Sequence, residues 1–424
     1  MARAMKDSGI EWIGDIPEEW EISRNKNCFL CGKEIVGQAS ASTQLLSLTT
    51  KGVKKKSETD VAGKVPESYD TYQVVEINDL IMCLFDLDCS AVFSGLSPYN
   101  GMVSPAYKIL KCNSSILPEY AQFWFSFIFD GRKFKSYAKN LRYTLNYDEF
   151  AVLPILLPDI TAQRKIVDYL IRECAEIDAV IEQTRASIEE YKKLKQSVIT
   201  QAVTKGIRPG RKMKDSGVEW IGGIPEEWDL TTVGRIATVV RGASPRPAGD
   251  PRYFNGNDTP WITVAEVTNG NGKYIYRTET YLTEEGAKQS RRVEVGTLLL
   301  SNSGATLGVP KITKISGCIN DGSLAFYNLQ VNQDYLLYVF AGQTNELRKQ
   351  MQGYGQPNLN TTIVKGIKLP LPPREEQKEI SVFLDEIMIS IDALILKKES
   401  LVCSLESYKK SLIFEYVTGK KEVI

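Results

Sequence analysis

Between Ile380 and Leu412 the apolar residues recur at steps of four and three. Ile380, Leu384, Ile387, Ile391, Leu394, Leu401, Leu405 and Leu412 fall on one face of a helix, with Lys398 and Tyr408 on the same stripe. That spacing is the seam of a coiled coil. A less regular stripe occurs earlier, through Ile166, Leu170, Ile177, Val180, Tyr191, Leu194, Val198 and Ala202. Glu173, Thr184 and Ser187 interrupt it, and Lys205-Gly206 supplies a glycine stop. Each stripe predicts a helix of ~45 residues, ~65 Å long at 1.5 Å per residue. Two such stripes in one chain predict an antiparallel pair. The stretches between them have a shorter period. Tyr72–Ile77, Leu80–Phe85 and Ser104–Leu110 read as strands bounded by turn residues. Leu117–Asp130 reads as a helix, with Pro118 in its first turn and Gly131 at its end.

The same pattern is written twice. Met213–Trp228 (MKDSGVEWIGGIPEEW) matches Met5–Trp20 (MKDSGIEWIGDIPEEW) at 14 of 16 positions, and the two copies hold four of the six Trp. A second pair of copies closes each half at a constant offset of 214: Ile166 meets Ile380, Leu170 meets Leu384, Ile177-Asp178-Ala179 meets Ile391-Asp392-Ala393, and Val203-Thr204 meets Val417-Thr418. Identical frames around non-identical interiors are the signature of an internal repeat. The chain therefore divides into a framing repeat (1–20), a first module (21–150), a long helix (151–212), the second framing repeat (213–228), a second module (229–368) and a second long helix (369–424). The expected fold is α+β: two α/β modules separated by two long helices in an antiparallel coiled coil, with a pseudo-twofold internal repeat. The modules echo each other only faintly, Val293–Leu300 with Val75–Met82 and Ser323–Phe326 with Ser104–Tyr107.

Composition removes several classes of function. There is no His, and with it go the commonest general base and the Ser-His and Cys-His dyads. The eight Cys show no disulfide spacing, and Cys28-x-x-Cys31 stands alone, short of the four ligands of a structural zinc. No metal site is expected. No GxxxxGK[ST] phosphate loop occurs. No apolar run nears the ~18 residues of a membrane span and the N-terminus does not read as a signal peptide, so the cytoplasm is the expected location. Lys plus Arg and Asp plus Glu balance at 52 each, so any nucleic-acid surface is local rather than global.

Local candidates exist. In the first module Arg132, Lys135, Lys139, Asn140, Arg142 and Tyr143 belong to a run that interleaves basic and aromatic residues, and Lys54 and Lys55 sit in a basic stretch. In the second module the polar loops supply Arg241, Ser244, Arg246, Asn271, Lys273, Arg291, Arg292, Asn302, Gln356 and Asn358. Arg pairs with guanine and Asn or Gln with adenine through two hydrogen bonds in the major groove, and Lys neutralises phosphate. An ordinary solvated surface explains any one of these residues equally well.

The order of the parts resembles the specificity subunit of Type I restriction–modification enzymes over nearly the whole length. The resemblance rests on the DSGxEWIGxIPExW frame, a variable module, a Pro-rich exit with Gln163 or Gln377 before a long helix, and the same again. Thr259-Pro-Trp-Ile262, Gly296-Thr-Leu-Leu299 and Ser303-Gly-Ala-Thr-Leu-Gly308 fit too. It implies that each module is a target-recognition domain reading one half of a split, asymmetric double-stranded DNA sequence, and that the helices set the unread gap. It also implies partners: two methyltransferase subunits using S-adenosylmethionine, and restriction/translocase subunits using ATP and Mg, or a methylation-only complex without a nuclease. No cofactor and no catalysis would belong to this chain. The amino-methyltransferase motif is missing, the nearest string being Ser97-Pro98-Tyr99-Asn100.

Overall fold

A computed structural model describes residues 3–56, 68–138, 142–270, 272–350 and 358–423. The chain forms two compact units, Met1–Thr184 with Leu401–Ile424, and Arg185–Ser400. The units do not follow the linear segments. Each long helix, Ile160–Lys205 and Arg374–Val417, contributes to both, so each unit combines one module with part of each helix.

In the first unit the frame folds as an antiparallel hairpin, Met5–Asp7 against Asp15–Pro17. Gly9 and Gly14 turn at φ of +65° and +68°, conformations that a Cβ would strain. Ile16 and Trp20 are buried behind the hairpin. The module is then closed at its neck by an antiparallel ladder of Glu21–Arg24 with Pro154–Leu157. Inside it lies a four-stranded sheet in the order Phe29–Gly32, Lys108–Cys112, Leu80–Met82, Ser94–Leu96. The helix Pro118–Asp130 is covered by it because so little of its surface is polar: Tyr120, Ala121, Trp124, Phe125, Phe127 and Ile128 are all buried. Phe93 packs on Phe125 and Phe134 at 6.1 and 6.0 Å between ring centres. Ser104–Leu110 is not one strand as expected. The chain turns at residues 104–107 and the strand is Lys108–Cys112.

The second unit repeats this plan. Its frame is the hairpin of Met213–Asp215 with Gly223–Pro225, and its neck pairs Asp229–Thr232 with Lys368–Leu371. A five-stranded sheet runs in the order Thr238–Arg241, Ser323–Tyr327, Leu298–Ser301, Pro310–Thr313, Tyr274–Ile275. A further sheet, in the order Tyr281–Leu282, Phe254–Ile262, Gly317–Ile319, Arg291–Val293, is added. Strand pairing corrects one expected correspondence: Ser323–Tyr327 pairs with Leu298–Ser301 as Lys108–Cys112 pairs with Leu80–Met82, so its counterpart is Lys108–Cys112 and not Ser104–Tyr107.

Buried polar contacts repeat as well. Tyr120 Oη donates to the carbonyls of Leu156 and Val417 at 3.2 and 3.3 Å, and Tyr335 Oη to those of Pro370 and Val203 at 3.0 and 3.2 Å. The Gln in the first turn of each long helix has a defined job. Gln163 Oε1 accepts from the Leu117 amide at 2.8 Å while its Nε2 donates to Ser115 and Pro158 carbonyls, both at 2.9 Å. Gln377 accepts from Asn332 N–H and donates to the Pro372 carbonyl, both at 2.8 Å. Gln163→Leu keeps the bulk but strands one buried amide and two carbonyls. It is expected to cost about 2–3 kcal/mol, read as a lower urea midpoint.

The helices pair antiparallel within each unit. Tyr169 meets Tyr416 at 4.5 Å between ring centres and Asp178 meets Lys409 at 2.6 Å in the first unit. Lys195 meets Asp392 at 2.6 Å in the second. These two ion pairs are the same pair, since 392 − 178 and 409 − 195 are both 214. The seam is shifted from the expected one. Ile166, Leu170, Ile177, Ile380, Leu384, Ile391 and Leu412 are buried, and Val198, Ile387 and Leu405 are half-buried against the cores. Leu194, Leu394 and Leu401, however, are 48, 41 and 46% exposed, and Val180 and Tyr408 are exposed too. Their places are taken by Cys174, Ile181, Ile188, Lys195, Ile395, Val402 and Lys409. Thr184 is on the seam as well, its hydroxyl donating to the Val180 carbonyl at 2.7 Å.

Candidate nucleic-acid interface

In the first module the described residues of the basic–aromatic run gather at one loop. Arg132 Nη1 donates to the Leu87 carbonyl at 2.7 Å and its guanidinium lies over Phe129 and Phe134. Lys135 Nζ stands 4.6 Å from the centre of the Tyr143 ring and 3.5 Å from Asp88. Arg142, with 81% of its side chain exposed, is 3.7 Å from Asp86. Asp86 N–H in turn donates to Thr144 Oγ1 at 3.0 Å and Leu145 N–H to the Leu84 carbonyl at 2.8 Å, which fixes the two segments together. Asp86, Arg132 and Tyr143 all have left-handed φ, +48°, +51° and +50°. Left-handed Arg and Tyr cost about 1 kcal/mol each, and such outliers gather where surface geometry matters more than local comfort. The structure thus brings Arg132, Lys135, Arg142 and Tyr143 together and adds Asp86 and Asp88, which the sequence reading passed over. Arg132 holds the loop through these contacts and remains exposed. Lys54 and Lys55 lie apart on the hairpin Leu46–Thr49/Gly52–Lys55, both exposed, with Lys55 Nζ 4.9 Å from the Tyr99 ring centre.

In the second module the candidates converge on Asp321, a residue that no pattern in the sequence singles out. Arg241 Nε donates to its carbonyl at 2.9 Å, Ser244 Oγ to Oδ1 at 2.6 Å, Arg246 Nη2 to Oδ2 at 3.4 Å, and Asn302 Nδ2 to the carbonyl at 3.2 Å. The close approach of the Arg241–Arg246 loop needs Gly242, whose Cβ would meet the Asn320 carbonyl oxygen at 2.0 Å. Gln289 Oε1 accepts from Arg246 N–H at 3.3 Å and Ser290 Oγ donates to the Ala243 carbonyl at 2.7 Å. Exposed Arg291 and Arg292 therefore begin their strand beside this cluster. Asn358 is bridged to Ser303 and exposed. The result is an exposed set of guanidinium donors around a carboxylate acceptor, held by loops that the sheet fixes.

Two candidates are internal. Asn302 is fully buried; its carbonyl accepts from Leu359 N–H at 2.7 Å, so it ties the Ser303 loop to the module exit. Lys273 is half-buried between Asp334 and Asp385, its Nζ 2.8 Å from each carboxylate, and over the Tyr338 ring. Burial alone would lower its pKa, but the two carboxylates outweigh that and hold it above the usual Lys value. A raised ammonium contributes stability at all pH below the unfolded Lys value and loses it only in strong alkali. Lys273 therefore anchors the module to the second long helix, and Tyr338 Oη donates to the same Asp385. Lys139, Asn140, Asn271 and Gln356 lie outside the described residues. At the exits, Asn146 and Asn360 cap short helices by accepting from Glu149 and Ile363 N–H, both at 2.9 Å.

Among the described residues no three Cys, Asp or Glu side chains are grouped to hold a metal ion, and no helix is long and apolar enough to cross a membrane. Burial pushes the Cys28 and Cys31 thiols up.

Residues 225–400 match the family described as the Type I restriction modification DNA specificity domain. Over 429 residues the chain is 23% identical to the Type I restriction enzyme MjaVIII specificity subunit of Methanocaldococcus jannaschii, covering 96% of this chain and 94% of that one. The fold is shared with a chain solved for complex assembly and conformational transition of the type I R-M system (TM-score 0.74, 17% identity, covering 96% of this chain and 99% of that one). It is shared also with the HsdS subunit from Thermoanaerobacter tengcongensis (TM-score 0.52, 18% identity, 98% and 100% covered). With the double frame, the two closed modules and the paired long helices in place, the chain resembles the specificity subunits of Type I restriction–modification enzymes over nearly its whole length, and residues 225–400 match their DNA specificity domain.

Proposed function

We propose that the chain reads a bipartite, asymmetric double-stranded DNA target, one half-site per module, and scaffolds the subunits that modify or cut it. The observation that carries this reading is the contrast within the repeat: the necks, the buried Tyr contacts, the Gln anchors and the Asp–Lys helix pairs recur, while the polar clusters on the two modules are built from different residues. Repetition of the support with divergence of the surface fits two readers of different sequence.

Arg142 and Lys135 in one module, and Arg241, Arg246, Arg291 and Arg292 in the other, are the groups suited to phosphate and guanine contacts, and Asp321 to a cytosine amino group. Methylation is then the work of two methyltransferase subunits using S-adenosylmethionine, and cleavage that of ATP- and Mg-dependent restriction/translocase subunits. This chain supplies no catalysis. The test is selection from random duplex DNA with the chain and its methyltransferase partner. A motif of two fixed half-sites around an unread gap is expected, with binding that weakens steeply as salt rises. A single continuous motif, or methyl transfer by the isolated chain, would sink the reading.

A further inference from the structure

One buried carboxylate contact of the second unit has no counterpart in the first, and its absence leaves a site behind. In the second unit Glu376, the third residue of its long helix, is 3% exposed. Its Oε2 accepts from Trp228 Nε1 at 3.0 Å, and its Oε1 is ion-paired with Arg211. Arg211 also pairs with Glu227 at 3.3 Å and lies over the Trp228 ring. The first unit holds the same parts. Trp20 is 2% exposed, and Arg3 lies 5.5 Å from its ring centre and donates through Nε to Glu19 at 2.8 Å. The frame offset of 208 (228 − 20) relates Arg3, Glu19 and Trp20 to Arg211, Glu227 and Trp228. The helix offset of 214, applied to Glu376, leads to Ala162.

The missing carboxylate has consequences. Trp20 Nε1 is buried with no hydrogen-bond partner among the described residues, whereas its counterpart points at Glu376. Where the Glu376 side chain would reach, there is a cavity of about 240 Å³ walled by Arg3, Trp20, Ala162, Lys165 and Lys421. A liquid water takes up about 30 Å³, so the space admits a carboxylate and its solvation. The acids in the same wall are largely engaged: Glu19 pairs with Arg3, and Asp159 accepts from Ala162 N–H at 2.8 Å. Glu422 also lines the cavity, and it is exposed.

We propose that the cavity beside Trp20 is a carboxylate-binding site, in which a carboxylate accepts from Trp20 Nε1 and pairs with Arg3 as Glu376 does with Trp228 and Arg211. Two sources share this chemistry: a carboxylate from outside the chain, and Glu422 of its own C-terminal tail.

The indole N–H signals of uniformly ¹⁵N-labelled chain, assigned by single Trp→Phe replacements, test it. With an outside source, sodium acetate shifts the Trp20 signal saturably, sodium chloride at equal ionic strength does not, and the Trp228 signal stays fixed. With Glu422 as the source, acetate has no effect and Glu422→Gln moves the Trp20 signal. Ala162→Glu should bring the Trp20 signal next to that of Trp228 and abolish either response. The proposal is overturned if neither acetate nor Glu422→Gln moves the Trp20 signal, or if acetate and chloride move it alike. Those arms use chains with the native Ala162, so they decide the matter even where Ala162→Glu fails to fold.

Discussion

Replacing residues 229–368 with the corresponding module of another specificity subunit is expected to rewrite one half of the DNA target and leave the other half unchanged. The junctions favour this. Both cuts fall on the neck ladder, where Asp229–Thr232 pairs with Lys368–Leu371 through main-chain hydrogen bonds that tolerate new side chains. Several contacts cross the junction and must be kept, among them the ion pair of Asp385, outside the exchanged segment, with Lys273 inside it, and the Gln377–Asn332 and Tyr335–Val203 hydrogen bonds. A donor lacking counterparts of Lys273 and Tyr338 would leave Asp385 half-buried and unpaired, so it should be combined with Asp385→Asn. With the anchor preserved, each base pair changed in the old half-site should cost about 1–3 kcal/mol, and the first half-site should be read as before. Methylome sequencing of cells carrying the hybrid and its methyltransferase gives the result directly. A change in both half-sites would mean that the modules do not read independently.

The repeat was legible because it is written in identical residues, and the long helices because an apolar stripe of more than forty residues has few alternatives. The neck ladders carry no such mark: they join strands more than 100 residues apart and appear only in the fold. The Asp321 cluster was not legible. It forms only when the turn before Ser323 meets loops from about 80 residues earlier, as the Arg241–Asp321 hydrogen bond does, and nothing local to Asp321 marks it. The partners of Lys273 were not legible either. A lysine in a Gly-rich polar loop looks solvated, and only the fold brings Asp334 and Asp385 to it. In the same way Asn302 looked like a loop side chain, yet it is the internal tie between that loop and the module exit.

The seam shows how a correct period can still carry a wrong phase, and mutation of neighbouring residues separates the two. Positions seven apart, such as Ile391, Lys398, Leu405 and Leu412, belong to the seam in either phase; the residue between them is set either three or four steps on. The sequence offers apolar residues at both, Leu394 and Ile395, then Leu401 and Val402, so hydrophobicity alone does not choose. In the earlier helix it chooses wrongly, because Leu194 outranks Lys195 on any apolar scale. The structure takes the four-step phase, which sets Lys195 and Lys409 against Asp392 and Asp178 while Ile395 and Val402 enter the core. Ile395 is 2% exposed and Leu394 41%. Ile395→Ala should therefore destabilise by about 2–4 kcal/mol, the cost of lost burial plus a residual cavity. Leu394→Ala, the larger loss by the three-step reading, should stay within about 0.5 kcal/mol, as exposed helix positions do. Denaturant midpoints of the two variants decide between the phases. Equal losses, or a greater loss at Leu394, would put the seam back on Leu394 and Leu401.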